Sequence, residues 1–287
     1  MRFTKMHGLG NDYIYINGSE EDLSGLDLAE LSRVLSDRHF GIGGDGIILV
    51  LPSAAAADLH MRILNADGSE AEMCGNGVRA FVKYAYEHGL TEQTKLEVET
   101  GAGLIRSELT VEGGVVTRVR VDMGEPRLVR KEIPMVGEPT GGRVVGESLE
   151  VDGERFTVTC LSMGNPHCVL FVPNTDEAPV TTLGPRIEHH PLFPARTNVE
   201  FIQVVSRDRI RMRVWERGSG ETLACGTGAS ASTVACVLND FTDRALVVEL
   251  LGGELQVEWA ADNHVFIAGP ATEVFSGEVD VEHLRHA

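Results

Sequence analysis

The sequence predicts a mixed, strand-rich fold in which a few helices lie deep and two halves of the chain share one topology. Three observations point there. Apolar and polar residues alternate with period two along much of the chain. Helical patterning is confined to a few segments, and one stretch carrying a C-G-x-G motif occurs twice. The 287 residues exceed the usual size of one domain and leave ample length for a buried core.

Taken along the chain, Leu26–His39 reads as a surface helix with Leu28, Leu31, Val34 and Leu35 on one face. Val78–His88 places Val78, Phe81, Val82 and Ala85 at helical spacing directly after a C-G-N-G turn. Strands are expected at Lys95–Thr100, Val115–Asp122, Glu154–Thr159, Asp208–Trp215, Glu254–Trp259 and His264–Ala268. Turn signals such as Glu112-Gly113-Gly114 and Leu251-Gly252-Gly253 separate them. Gly226–Leu238 is uncharged all round, as suits a helix enclosed by strands on every side.

Charge and cysteine usage exclude several functions. With 25 Lys+Arg against 43 Asp+Glu the net charge is −18, which repels a phosphate backbone or an anionic membrane face. Neither nucleic acid nor a membrane is therefore an expected partner. The uncharged stretches Phe156–Thr175 and Thr222–Asn239 are long enough to suggest a membrane span. The first is interrupted by Gly164-Asn165-Pro166-His167 and the second is mostly Ala, Ser, Thr and Gly, so neither suits a bilayer. The five cysteines contain no C-x-x-C pair, which removes the usual zinc and dithiol-redox spacings. No secretory signal opens the chain, and free thiols without one point to the cytoplasm.

The duplicated stretch is the most informative feature. Asn65–Ala80 reads NADGSEAEMCGNGVRA and Glu216–Ala231 reads ERGSGETLACGTGASA. Laid together, Glu70 meets Glu221, Cys74 meets Cys225, Gly75 meets Gly226 and Gly77 meets Gly228. Gly10-Asn11 matches Gly164-Asn165 in the same order and at nearly the same displacement, so the repeat extends beyond one motif.

A cysteine just before a helix sits where unpaired backbone N–H groups and the positive end of the helix dipole converge. That setting favours the thiolate. Flanking glycines admit a ligand close to the backbone, and the N–H groups of Gly75-Asn76 and Gly226-Thr227 suit a carboxylate. The alternative is a small buried hydrophobe beside a glycine-rich helix start, a reading that duplication weakens. Two thiols on opposite sides of one carbon are what stereoinversion needs, one removing a proton and the other supplying one to the opposite face. A helix terminus contributes only about 0.3–2 kcal/mol, and one pKa unit is about 1.4 kcal/mol. Reaching an amino-acid α-proton thus also demands several oriented donors on the substrate carboxylate and exclusion of water. Arg217 suits a bidentate carboxylate and Glu216 an ammonium group, while Asn11, Asn65, Asn165 and Asn198 supply polar side chains from turn-like or strand-end contexts.

Other signals carry less. Gly41-Ile42-Gly43-Gly44-Asp45-Gly46 is a literal G-x-G-x-x-G, but a helical segment precedes it and a β-rich run follows, the reverse of a dinucleotide site. His189-His190 reads as a solvated helix end, so no metal site is expected. Arg209, Arg211 and Arg213 read as a solvated strand face. None of Lys5, Lys83, Lys95 and Lys131 lies in a phosphate-cradling context that pyridoxal phosphate would need. Cys160, Cys168 and Cys236 lie in apolar runs and read as core.

The chain resembles the PLP-independent diaminopimelate epimerases. The matching strings are Lys5–Asp12 (KMHGLGND), Arg38–Gly46 (RHFGIGGDG), Asn65–Gly77, Met163–His167 (MGNPH), Asn198 and Glu216–Gly228, in order over essentially the whole length. The resemblance implies an α/β (α+β) fold of two pseudo-symmetric halves, each a barrel-like sheet around a central helix, with the active site in the cleft between them. The halves are expected at residues 1–123 with 270–287, carrying Cys74, and 124–269, carrying Cys225. It implies an isomerase interconverting LL- and meso-2,6-diaminopimelate in lysine and peptidoglycan precursor synthesis, with no cofactor or metal and usually as a homodimer. Cys74 and Cys225 become the acid/base pair, His167 and Glu216 the groups that tune them. Asn11, Asn65, Asn165, Asn198, Glu216 and Arg217 join Gly75, Asn76, Gly226 and Thr227 as substrate contacts. Gly46 stands where some members carry a glutamine that touches substrate, and Phe275 where some carry a tyrosine that helps the dimer form. The alternatives are a proline or hydroxyproline racemase-type enzyme with opposed cysteines, or a non-catalytic amino-acid-binding protein on the same fold. Glu216-Arg217 favour the longer, two-headed substrate over the first, and both cysteines argue against the second.

Overall fold

A computed structural model describes residues 1–54 and 56–281. The chain separates into two compact units, one of Met1–Val121 with the chain from Gly269 onward, the other of Asp122–Ala268. The first unit contributes β1 (Arg2–Gly8), β2 (Asn11–Asn17), α1 (Leu28–Ser36), β3 (Gly46–Leu51), β4 (Leu59–Asn65), β5 (Glu70–Ala71), α2 (Gly75–Glu87), β6 (Lys95–Thr100), β7 (Gly103–Glu112) and β8 (Val115–Asp122). The second runs through β9 (Val144–Val151), β10 (Glu154–Ser162), β11 (Pro166–Phe171), α3 (Val180–Glu188), β12 (Asn198–Ser206), β13 (Arg209–Glu216), β14 (Gly220–Glu221), α4 (Gly226–Leu238), β15 (Ala245–Leu250), β16 (Gly253–Trp259) and β17 (Val265–Gly269). The chain then returns to the first unit as β18 (Thr272–Glu278).

The fold is a strand-rich α+β one, and the two units pair their strands in the same way. In the first the order is β18-β1-β2-β3-β4-β6-β7-β8, with β2/β3 and β4/β6 parallel and the remaining pairs antiparallel. In the second it is β9-β10-β11-β12-β13-β15-β16-β17, with β11/β12 and β13/β15 parallel. The short strands β5 and β14 add to β4 and β13 respectively. The strand beside β1 comes from the end of the chain, whereas its counterpart β9 directly precedes β10.

Each unit builds its core around one helix. Helix α2 packs against β1, β2, β3, β7 and β18, and α4 against β10, β11, β12, β13, β15 and β16. Being surrounded, α4 uses small residues: Ala229, Ala231, Val234, Ala235 and Cys236 are fully buried, as are Ser230, Ser232 and Thr233. The hydroxyls of Ser230 and Thr233 donate to the carbonyls of Gly226 and Ala229 four residues back, which satisfies them without outside partners. Helices α1 and α3 lie on the strands instead, α1 on β3 and β4, α3 on β12, β13 and β14.

Several boundaries differ from those the sequence suggests. Helix α1 is shorter than Leu26–His39. It starts where Asp27 Oδ1 accepts from the N–H groups of Ala29 and Glu30, and the amides of Ile42, Gly43 and Gly44 fold back onto the carbonyls of Leu35 and Ser36 at its end. The G-x-G-x-x-G string is thus a helix-terminating turn that leads into β3. Helix α2 begins at Gly75, three residues before Val78, because burial and the Cys74 cap outweigh the helical cost of two glycines. The Arg209, Arg211 and Arg213 stripe is paired with acids, Arg209 and Arg211 with Glu249, and Arg213 with Glu221 at 2.7 Å.

Two expectations follow. Ala235→Leu forces a larger side chain into the tightly enclosed α4 core and should lower stability by about 1–3 kcal/mol, seen as a lower urea midpoint at unchanged slope. An unshifted midpoint would mean that α4 has spare volume around it. His264 is raised above the ordinary imidazole range, mainly by its hydrogen bond to Asp122, with Nδ1 2.8 Å from Oδ1. A raised folded-state pKa gives stability that is fully present below the ordinary imidazole range and is lost as pH rises through the raised value. Asp122→Asn should flatten that part of the melting temperature's pH dependence, and an unchanged profile would assign it elsewhere.

Candidate active site

Both motif cysteines occupy the N-cap of a unit's central helix. Cys74 Sγ accepts from the Gly77 amide at 3.3 Å, and Cys225 Sγ accepts from the Gly228 amide at 3.3 Å. Each sulfur therefore stands in for the usual capping oxygen and faces the unpaired N–H groups of the first turn. The glycine three residues later lets a side chain of the neighbouring strand approach closely. A Cβ on Gly77 would come within 2.9 Å of Ile48 Cδ1, and one on Gly228 within 3.0 Å of Glu200 Oε1. The repeated glutamates have a structural explanation. Glu70 pairs with Arg62 across β4 and β5, and Glu221 with Arg213 across β13 and β14, each at 2.7 Å.

In the first unit Cys74 is half-buried and its thiol donates to Asn11 Oδ1 at 3.2 Å. The Asn11 amide is anchored on Asp45 Oδ2 at 2.7 Å, and Asp45 is anchored in turn by Arg38 at 2.9 Å. Asn76, buried in the first turn of α2, accepts from Arg79 at 2.8 Å. Arg79 itself is fully buried and, among the described residues, is paired with no carboxylate. Burial pulls its guanidinium down to about 10, opposed by negative charge on Cys74 and then on Tyr15. Tyr13 lies nearby, its phenol pushed far above the usual range by burial and then by Cys74. Asn65, at the end of β4, bonds to Ser69 at 3.0 Å and to none of these groups. Gly46 packs on β4 so tightly that a Cβ would lie 2.1 Å from the Leu64 carbonyl, so the backbone admits no side chain there without moving.

The second unit joins more of the expected residues. Cys225 is buried, and burial pushes its thiol well above the usual range, with the Glu216 charge adding to the effect. Thr227 Oγ1 lies 3.4 Å from its sulfur. Asn165 donates to Thr227 at 3.3 Å and faces His167 Nε2 at 2.9 Å through its carbonyl oxygen. Glu216, raised by burial, accepts from the Thr222 hydroxyl. Asn198 is buried, its amide donating to the Pro166 carbonyl at 3.0 Å and its oxygen accepting from the Arg217 backbone at 2.9 Å. The Arg217 guanidinium is exposed, donates only to the Ala195 carbonyl at 3.1 Å, and has no carboxylate partner among the described residues. His189 and His190 hydrogen-bond to the carbonyls of Pro185 and Glu150 at the end of α3. Among the described residues no cluster suits a metal ion.

Sequence reasoning missed Tyr13, Arg79 and Glu200. A charged residue in the apolar run Val199–Ile202 was the available signal for Glu200, and an Arg on the inward face of α2 was the signal for Arg79. Tyr13 sits in an apolar strand and offered none.

Comparison with known proteins follows the same lines. The family model described as diaminopimelate epimerase matches residues 3–129 and 159–274. Proteins named diaminopimelate epimerase from Moorella thermoacetica and Pelotomaculum thermopropionicum are 58% and 56% identical to the chain over 98% and 97% of its length, covering 100% and 98% of theirs. One from Methanococcus maripaludis is 48% identical over 98% of this chain and 100% of its own. Among solved structures, a probable proline racemase from Agrobacterium radiobacter superposes with a TM-score of 0.68 at 18% identity, covering 97% of this chain and 92% of that one. A hydroxyproline epimerase from Agrobacterium vitis gives 0.67 at 16% identity over 97% and 90%. These two share the fold. Full-length relatives at 48–58% identity and the family match over both cysteine motifs carry the closer relation: the chain belongs to the diaminopimelate epimerase family.

Proposed function

We propose that the protein interconverts LL- and meso-2,6-diaminopimelate, in lysine and peptidoglycan precursor synthesis, by proton transfer between substrate and two thiols. The observation that carries this reading is the pair of cysteines at equivalent N-caps, in a chain whose full-length relatives bear the epimerase name. In one direction Cys74 as thiolate takes the α-proton from one face while Cys225 as thiol delivers its proton to the other. The C–H bond broken on one side is replaced by a C–H bond on the other, and the two sulfurs exchange protonation states. The reverse direction begins from the exchanged state.

The α-carboxylate is held by the first-turn N–H groups of Gly75-Asn76 and Gly226-Thr227, with donors aimed where charge develops as the proton leaves. Asn11 and Asn165 lie beside the thiols, and Asn65 and Asn198 complete the polar wall. The guanidinium of Arg217, which has no carboxylate partner among the described residues, takes the distal carboxylate and Glu216 the distal ammonium. His167 and Glu216 tune the thiols through their charge and hydrogen bonds. This chain's own groups supply every proton the scheme moves, so it calls for no cofactor.

We read the protein as cytoplasmic. None of the five cysteines is joined in a disulfide, which suits a reducing compartment. Among the described residues no helix is long and apolar enough to cross a membrane. We also read it as a homodimer that joins near Phe275. Strand β18 leaves Val274 54% and Phe275 47% exposed, apolar surface that a second copy would cover.

Incubation of LL-diaminopimelate with the protein in deuterated water should yield meso product carrying deuterium at the inverted α-carbon. Absence of both would overturn the assignment. Cys74→Ala and Cys225→Ala should each lower turnover by at least about 10³-fold, as losing a proton-transfer group does, and near-parental turnover in either would rule out two thiols. Light scattering should give twice the chain mass, and Phe275→Glu should shift it toward the single chain. A monomeric parent would remove the dimer.

A further inference from the structure

Glu200 has no part in the scheme above, and its position is costly. It lies in β12 with 0% exposure, as does His167. Its Oε1 is 2.6 Å from His167 Nδ1, and its Oε2 has no hydrogen-bond partner among the described residues. A buried carboxylate with an unsatisfied oxygen is poor stabilising material, since desolvation offsets much of what the ion pair returns. Nor does the fold demand an acid there. In the first unit the equivalent strand position is Ile48, whose Cδ1 faces Gly77 just as Glu200 Oε1 faces Gly228.

Glu200 instead begins a continuous side-chain path. From Oε1 it passes to His167 Nδ1 at 2.6 Å, and from His167 Nε2 to Asn165 Oδ1 at 2.9 Å. It continues from Asn165 Nδ2 to Thr227 Oγ1 at 3.3 Å and ends at Cys225 Sγ, 3.4 Å from Thr227 Oγ1. We propose that Glu200 is a positioning residue for epimerisation, its carboxylate fixing the donor–acceptor direction of this path so that the Thr227 hydroxyl donates to the Cys225 sulfur. This rests on the reading of Cys225 as a reacting thiol.

The direction follows from bonding capacity. A carboxylate accepts, so the ring N–H at Nδ1 points to Glu200. Nε2 faces a carbonyl oxygen, so it too donates, and the His167–Glu200 pair holds the proton this needs. Burial, which pushes the Glu200 carboxyl up, helps to keep that proton within the pair. Asn165, its oxygen engaged, donates through its amide to Thr227, whose own hydrogen is then free for sulfur. A hydroxyl that donates to Cys225 favours the thiolate, so the sulfur can release its proton to substrate. In the opposite direction Thr227 would accept from the thiol and hold the proton in place. The charged groups facing Cys225 are Glu216 on β13 and Glu200 on β12, with His167 on β11 behind Glu200.

The test is a kinetic cycle on the full-length protein with diaminopimelate. Glu200→Gln keeps the shape but presents either an amide or a carbonyl to His167, so direction is no longer imposed. It should lower kcat by about 10- to 100-fold, as losing an outer partner of a functional group does, with KM within about twofold of the parent. Glu200→Asp, which keeps an acceptor, should recover part of the loss. Thr227→Val breaks the path at its far end, and the double variant Glu200→Gln/Thr227→Val should be no slower than the slower single. Independent, multiplying effects of the two substitutions would overturn the proposal, although their side chains are not bonded to each other. So would an unchanged kcat per folded molecule accompanied by a lower melting temperature. A parent that does not turn over diaminopimelate overturns the functional reading and this proposal together. A parent that turns over, with Glu200→Gln equally fast, overturns this proposal alone.

Discussion

A sulfur atom capping the first turn of a buried helix is the interaction on which the rest of this structure depends. At Cys74 and Cys225 an extended residue caps the helix and is followed by glycines, and Ile48 and Glu200 of the opposite strands press close to Gly77 and Gly228. Those glycines would weaken an isolated helix, so both helices rely on strands packed around them. The small residues of α4 are what let six strands close around the helix that carries the second cap.

Duplication supplied two such caps, and divergence gave them different surroundings. Beneath the first lies a buried cation, Arg79, where the second unit has Ser230. Beside the second lies a histidine–glutamate pair where the first unit has Tyr13 and Ile48. The backbone is repeated while the electrostatics are not.

Most of the strand pattern was legible because alternation survives wherever one strand face is buried. Strands β6 and β8 have the ends read from the sequence, and α4 spans the expected Gly226–Leu238. Helix α3, with Pro185 inside it, and the edge strand β9 were not legible, since neither carries a strong period. The cysteine caps were visible through repetition. Glu200 was not, because the equivalent strand position in the first unit holds Ile48, which offers no chemical echo. Its meaning comes from a hydrogen-bond path that joins β12, β11, the Gly164–Pro166 turn and the start of α4 in space.

The origin of β18 bears on how the protein is made. The second unit is one uninterrupted stretch, complete once Ala268 has been added. The first lacks its outer strand, and with it one wall around α2, until Thr272–Glu278 has been translated. The half synthesised first is therefore the half that finishes later. Its β1 edge stays unpaired through translation of the entire second unit, an exposed template for misplaced pairing that only the closing strand removes.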